Sequence, residues 1–263
     1  MKLRLRGRDG VAYNISDDYN MLGFSQGDQE IDLDIVQKSF TAGAAFIGER
    51  RLKSKELRIT VEIGADDAEN TDAEYRSKLN EVLYYATNTE YIEDYDETNL
   101  RTLVEFKGYS NQPLNEVGTF LKYSTLELTF EMLNPYWEGD EVSDSFTSDD
   151  TTEVINNAGS LPTPIDFHIE TTAACESLSL WIDSNKQGIE IQDLDFGVDS
   201  TLYDYYINNS EGQALLGDNE IIRNEKIKLN TGFFELPVGS QSLNFLASIS
   251  VTVNYSFRPR YYI

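Results

Sequence analysis

Cysteine and histidine are nearly missing from this sequence, with one residue of each, Cys175 and His168. A single cysteine cannot close an internal disulfide, so the fold makes no demand on an oxidising compartment. One His and one Cys also fall short of a zinc ligand set unless carboxylates complete it. No nucleophile motif surrounds Cys175, which argues against a Cys/His dyad. Cations are scarce: 21 Lys and Arg stand against 46 Asp and Glu, a net charge of −25. That balance argues against binding nucleic acid through a general phosphate footprint, which needs clustered Lys and Arg. It argues equally against attraction to anionic membranes. No apolar run approaches the roughly 20 residues a membrane-spanning helix requires. Gly-rich phosphate loops and dinucleotide fingerprints are absent. So is a calcium loop, of which Asp193-Leu194-Asp195 and Gly217-Asp218-Asn219-Glu220 are fragments only. Neighbouring carboxylates such as Asp66-Asp67 or Asp149-Asp150 follow from the acidic composition and carry no signal for glycoside hydrolysis. No catalytic residue, metal ligand or cofactor is expected.

What is present is β-pattern. Hydrophobic residues make up 40% of the 263, enough to bury a core in one large domain or two ordinary ones. Met1-Lys2-Leu3-Arg4-Leu5-Arg6 alternates charged and apolar residues, which predicts a first strand and not a signal peptide. Residues 57–63 alternate, with Leu57, Ile59, Val61 and Ile63 on one face. Thr71 and Glu74 have capping-box spacing, and Tyr75, Leu79, Val82, Leu83 and Ala86 follow at helical spacing, so a helix is expected over 72–86, with Asn88 as its stop. Strands are expected at 101–107 and 123–133, with Asn111-Gln112-Pro113-Leu114-Asn115 as a loop between them. Leu126, Leu128, Phe130 and Met132 point one way; Glu127, Thr129 and Glu131 point the other. Residues 19–56 show several glycines and weak periodicity and read as a long loop or arm. The first part is therefore a small β-structure with one helix, an α+β arrangement.

The strand over 126–132 stops at Asn134-Pro135-Tyr136-Trp137, and residues 138–153 are acids and hydroxyls with only Val142 and Phe146 as core material. The chain restarts at Asn156-Asn157-Ala158-Gly159-Ser160-Leu161-Pro162-Thr163-Pro164. This reads as a seam between two β-rich units, with 138–153 as a solvated connector. Beyond it, alternation at 165–170, 178–182 and 248–257 is separated by turn signals at 185–188, 208–210, 217–219 and 237–239. Many short strands with regular turns predict an antiparallel sandwich. His168 falls on the polar face of its strand. Trp181, the cluster Tyr203, Tyr205, Tyr206 and the pair Tyr261-Tyr262 are read first as packing, then as protein contacts, then as sugar contacts.

The order of these pieces resembles the distal tail proteins of long non-contractile-tailed bacteriophages. The resemblance rests on the central seam, on Gly48-Glu49-Arg50-Arg51 leading into the 57–63 strand, on the helix, and on Phe234-Glu235-Leu236-Pro237-Val238-Gly239-Ser240-Gln241 ahead of a final strand. In that last piece the family's apolar–Pro–Gly–Asn turn is loosened, with Ser240 after Gly239. The resemblance implies a mainly β fold: residues 1–137 as a ring-forming split β-barrel with one helix, and residues 138–263 as a galectin-like antiparallel β-sandwich. It implies a homo-hexameric hub through which DNA passes, with the tail tube protein, a tail-tip or tail-associated protein and a receptor-binding protein as partners. The location would be the distal end of the virion tail, after synthesis in the bacterial cytoplasm. The strands at 57–63 and 123–133 are then candidates for the ring interface or lumen, with Glu62, Glu127 and Glu131 repelling DNA. The alternative is a carbohydrate-binding or carbohydrate-cleaving β-sandwich with an accessory domain, which needs no ring.

Overall fold

Two units make up the chain, Met1–Trp137 and Glu138–Ile263. The computed structural model describes residues 2–27, 31–32, 35–37, 44–46, 51–52, 55–64, 71–96, 99–113, 123–147, 152–171, 177–192, 203–216, 221–222, 227–228 and 231–262. Gly48-Glu49-Arg50, the Thr71 side chain of the expected capping box, the turn at 217–219 and Cys175 lie outside the described residues. Among those described, no helix is long and apolar enough to cross a membrane.

The first unit opens with β1 (Leu3–Gly7), β2 (Ala12–Tyr13), the one-turn α1 (Ile15–Asp18) and β3 (Asn20–Gln26). Short strands β4 (Ile31–Asp32), β5 (Ile35–Gln37), β6 (Ala44–Phe46) and β7 (Arg51–Leu52) follow, with β4 paired to β7 and β5 to β6. Then come β8 (Lys55–Gly64), α2 (Thr71–Asn88), β9 (Thr89–Asp94), β10 (Leu100–Pro113) and β11 (Tyr123–Met132). The main sheet runs β2-β1-β9-β10-β11-β8-β3, every neighbour antiparallel. Alternation builds its centre. Leu57, Ile59, Val61 and Ile63 on β8 and Leu126, Leu128, Phe130 and Met132 on β11 are all fully buried, because a strand sends every second side chain to the same face. On α2, Tyr75, Val82 and Ala86 are buried, and Leu79 and Leu83 half-buried. The helix contacts β8, β1 and β10. The Tyr75 hydroxyl lies 2.7 Å from Ser124 Oγ on β11 and accepts from Asn111 Nδ2 at 2.7 Å on β10, so a polar trio, with Tyr75 and Ser124 buried and Asn111 exposed, ties the helix to the sheet.

Two expectations for this unit need correction. Residues 19–56 are not one long loop: β3 is a seven-residue strand laddered to β8. Its alternation was illegible because it is an edge strand whose register shifts between Met21 and Gly23, which breaks the period of two. Asn111, Gln112 and Pro113 are likewise not a loop but the end of β10, paired with Leu126, Thr125 and Ser124. Proline is tolerated there because the β9 pairing of β10 ends at Leu103, which leaves Pro113 on a strand edge.

The second unit takes over at β12 (Trp137–Glu138). It contains β13 (Val142–Thr147), β14 (Thr152–Asn157), β15 (Thr163–Thr171), β16 (Ser177–Ile182), β17 (Gly188–Gln192) and β18 (Tyr203–Asn208). β19 (Gln213–Leu216), β20 (Ile221–Ile222), β21 (Glu235–Leu236), β22 (Gly239–Ala247), β23 (Thr252–Phe257) and β24 (Arg260–Tyr261) complete it. One sheet runs β13-β23-β15-β18-β19-β20, with β21 added beside β15; the other runs β14-β22-β16-β17. Their inner faces share one core, in which Phe167, Tyr205, Tyr255 and Phe257 from the first sheet join Leu178, Leu180, Leu243 and Phe245 from the second. This is an antiparallel sandwich. The fold class is thus mainly β, with both described helices, α1 and α2, in the first unit.

The expected connector at 138–153 is corrected too. β13 pairs with β23 along its whole length, and Phe146 is buried edge-on against Phe245, ring centroids 5.8 Å apart. Only Phe146 on β13 is buried. An edge strand held by backbone hydrogen bonds and one aromatic anchor shows no hydrophobic alternation. The final strand, expected over 248–257, begins only at Thr252. Gly239 opens β22 at φ 85°, a left-handed conformation that favours glycine.

Candidate functional site

Pleat parity decides where the three candidate carboxylates lie. With the odd-numbered residues of β8 and the even-numbered residues of β11 buried, Glu62, Glu127 and Glu131 share the opposite, outer face. Glu62 sits opposite Thr125, Glu127 opposite Thr60, and Glu131 opposite Glu56. On β10, Glu105 faces Glu131 and Ser110 faces Glu127. The structure therefore brings all three together on one sheet face and adds Glu56 and Glu105 to them.

That face is not bare negative charge. Lys107 Nζ lies 2.8 Å from Glu105 Oε2 and 2.7 Å from Glu131 Oε2. Hydrogen bonds to Glu105 and then Glu131 hold its ammonium well above the ordinary lysine value. Arg58 Nη2 donates to Glu56 Oε2 at 2.8 Å, and its Nη1 lies 3.7 Å from Glu127 Oε1. Asn20 Nδ2 donates to Glu62 Oε2 at 2.8 Å. Five carboxylates thus face two cations, a net acidic surface with partial internal pairing. Arg58 was within reach of the sequence, since the alternation that buries Leu57 and Ile59 turns Arg58 outward. Lys107 was not, because the register of β10 shifts between Phe106 and Gly108.

A second polar cluster lies on β1 and β9. Glu93 is largely buried and accepts from Arg6 Nε at 2.6 Å and from Arg4 Nε. Burial alone would raise its pKa, but the hydrogen bonds from Arg6 and Arg4 outweigh that and hold it below the usual carboxylate value. In the second unit, His168 stacks on Tyr206 with ring centroids 4.4 Å apart, and its Nδ1 lies 3.6 Å from Glu170 Oε1. It is a half-exposed residue of the sheet surface. Tyr205 is core, and Trp181 is half-buried. Among the described residues, no group of three or more His, Cys, Asp or Glu is arranged to hold a metal ion.

Residues 158–261 match the family model of the siphovirus-type tail component, C-terminal domain. No curated protein matches the chain. Among solved structures, the SPP1 Dit protein, described as a paradigm of the hub adsorption apparatus in phages infecting Gram-positive hosts, superposes with a TM-score of 0.69. That likeness covers 97% of this chain and 98% of the other at 13% identity. The baseplate of phage p2 in its activated conformation with Sr matches at a TM-score of 0.45 and 8% identity, covering 97% of this chain and 96% of that one, too loosely to argue from. Residues 158–261 are therefore similar to the C-terminal domain of siphovirus-type tail components, and over nearly its whole length the chain carries the fold seen in the SPP1 Dit protein.

Proposed function

We propose that this chain is the distal tail protein of a long non-contractile-tailed bacteriophage. In this reading it is a structural protein, with no reaction of its own, that forms a homo-hexameric hub joining the tail tube to the tail-tip and host-adhesion apparatus. The family match over residues 158–261 is the observation that carries the reading.

Two features of the first unit support the ring reading. A closed ring reuses one pair of unlike patches around its axis. Among the described residues, no strand pairs with β3 on its side away from β8, and β9 leaves β10 after Leu103. The β3 side of the sheet is therefore an open strand edge among the described residues, and open edges are templates for pairing with another chain. Its acidic face, with Glu62, Glu127 and Glu131, would line the lumen and repel the phosphates of passing DNA. In this reading the first unit is the split-barrel ring domain. The second is a galectin-like domain that projects outward toward a receptor-binding protein, and its fold by itself assigns it no sugar.

The test is the mass of the full chain by analytical ultracentrifugation, alone at high salt and with the phage's tail tube protein, together with antibody labelling of virions. A six-chain species and label at the tail tip are expected. A monomer under both conditions with unlabelled tails would overturn the reading.

A further inference from the structure

On the outer face of the second unit's four-stranded sheet, a cleft of about 460 Å³ opens beside Trp181, within the ~300–1,000 Å³ range of small-molecule sites. Register places its floor. Leu178, Leu180 and Ile182 point into the core, so Ser179 and Trp181 point out, opposite Glu190 and Gly188 on β17. A Cβ at Gly188 would lie 2.2 Å from the Leu180 carbonyl oxygen and 2.5 Å from Trp181 Cβ. Only glycine lets β17 run this close, with the Trp181 side chain against bare backbone. The β16–β17 turn supplies Lys186 and Gln187 as one wall, and Thr231, Gly232 and Phe233 supply the other.

The second wall is tied down. Ile227 bridges to Ile191, Lys228 N donates to Glu190 O at 2.8 Å, and Gly232 N donates to Gly188 O at 3.0 Å. Glu190 N donates to Thr231 Oγ1 at 3.2 Å, and Lys228 Nζ reaches both Glu190 carboxylate oxygens at 2.8 Å. The cleft is thus preorganised, which lowers the ordering cost of binding.

Its chemistry selects a ligand class. The charges are paired internally, Glu190 with Lys228 and Lys186 with Asp183, so neither an anion nor a cation is favoured. What remains is an indole, a phenyl ring and the uncharged polar groups of Ser179, Gln187 and Thr231, the last offering an acceptor lone pair because its hydroxyl donates to Lys228 O at 2.9 Å. A sugar ring has the matching character, with an apolar C–H face to lie on an aromatic plate and a rim of hydroxyls that both donate and accept. We propose that this cleft is a binding site for a neutral saccharide, with Trp181 as the stacking plate and Gln187 and Thr231 as hydroxyl partners. The proposal stands on the second unit alone and does not depend on ring assembly.

The test titrates the full chain with chitotetraose, cellotetraose and maltotetraose while following tryptophan fluorescence. The protein has two tryptophans, and Trp137 is fully buried, so a ligand-induced change reports Trp181. A saturable change with at least one glycan is expected, with affinity falling about tenfold or more in Trp181→Ala, as for removal of a stacked aromatic. Gln187→Ala, on an exposed turn that leaves the sheet intact, is expected to weaken the same glycan and keeps the test decisive if Trp181→Ala misfolds. No response from any of the three at about 10 mM, beyond the millimolar affinities of weak sites, overturns the proposal. So does binding by both the Gln187→Ala and the Trp181→Ala protein that is as tight as that of the unsubstituted chain.

Discussion

The two units solve the same problem, covering one face of an antiparallel sheet, with different second layers. In the first, a single helix lies on the sheet, and the core is rows of aliphatic residues with a hydrogen-bonded trio of Tyr75, Ser124 and Asn111 beneath the helix. In the second, another sheet is the cover, and aromatics such as Phe146 and Phe245 meet edge-on between the layers. The difference teaches where each unit keeps its outer surface. The helix-covered sheet leaves a broad face for a ladder of charges, whereas the sandwich folds a loop along an outer edge and builds a cleft there. The largest test of that contrast is Phe245→Ala. Deleting a buried Phe costs about 3–5 kcal/mol, and the loss is expected in one of two calorimetric transitions, the other staying in place. Movement of both together would show that the units do not melt separately.

Strand β13 sharpens this contrast. Because β13 and the start of β14 belong to the sandwich, a fragment of residues 138–263 is expected to fold, and one of 152–263, which lacks β13 and Phe146, to lose cooperative unfolding. Equal stability of the two fragments by circular dichroism would restore a dispensable connector.

In the first unit the matching test is Tyr75→Phe. It removes the hydroxyl that exposed Asn111 donates to and that buried Ser124 shares, leaving the Ser124 hydroxyl unpaired at a cost of about 1–3 kcal/mol. The thermal midpoint of the first-unit transition should fall, and additional Ser124→Ala should recover part of the loss. Leu79→Ala should cost less than a fully buried leucine would, since Leu79 is only half-buried.

These residues also mark what the sequence allowed one to read. β8, β11, β16 and the α2 stripe were legible because each has one wet face and one dry face, and burial imposes the period directly. β3 and β13 were not, because edge strands are held by backbone ladders that any residue can make. The same physics divides the candidate face. Glu62, Glu127 and Glu131 follow from parity along two regular strands, but Lys107 follows only from a bulge, and its neutralising role was hidden with it. The cleft beside Trp181 was hidden for another reason: its far wall is Thr231, Gly232 and Phe233, distant in sequence and brought in by hydrogen bonds to the backbone of β17.

A pH series separates the first unit from the second by a smaller effect. Glu93 is held below its ordinary pKa in the folded chain by Arg6 and Arg4, against the opposing effect of burial. A depressed carboxylate stabilises the fold above its unfolded value, about 4.3, and that contribution is lost as pH falls through the folded value. The first unit's thermal midpoint should therefore decline from about pH 4.3 downward, and Glu93→Gln should flatten that part of the profile. An unchanged profile in the variant would assign the acid sensitivity to other carboxylates.

The smallest expected effect on stability is also the sharpest on assembly. Replacing Glu62, Glu127 and Glu131 together by glutamine alters only an outer face and should leave the thermal midpoint nearly unchanged, since no core contact is removed. If copies meet around an axis with these faces turned inward, their excess negative charge opposes closure. Raising salt to about 1 M shortens the screening length to about 3 Å, so the wild-type chain should associate more readily there. The triple variant should associate at low salt to a similar extent, leaving Arg58 and Lys107 to pair with Glu56 and Glu105 alone. Sedimentation velocity on both proteins across a salt series reads the comparison. Association that weakens with salt, or a variant identical to wild type at every salt concentration, would remove these three carboxylates from the lumen and turn attention to the strand edges instead.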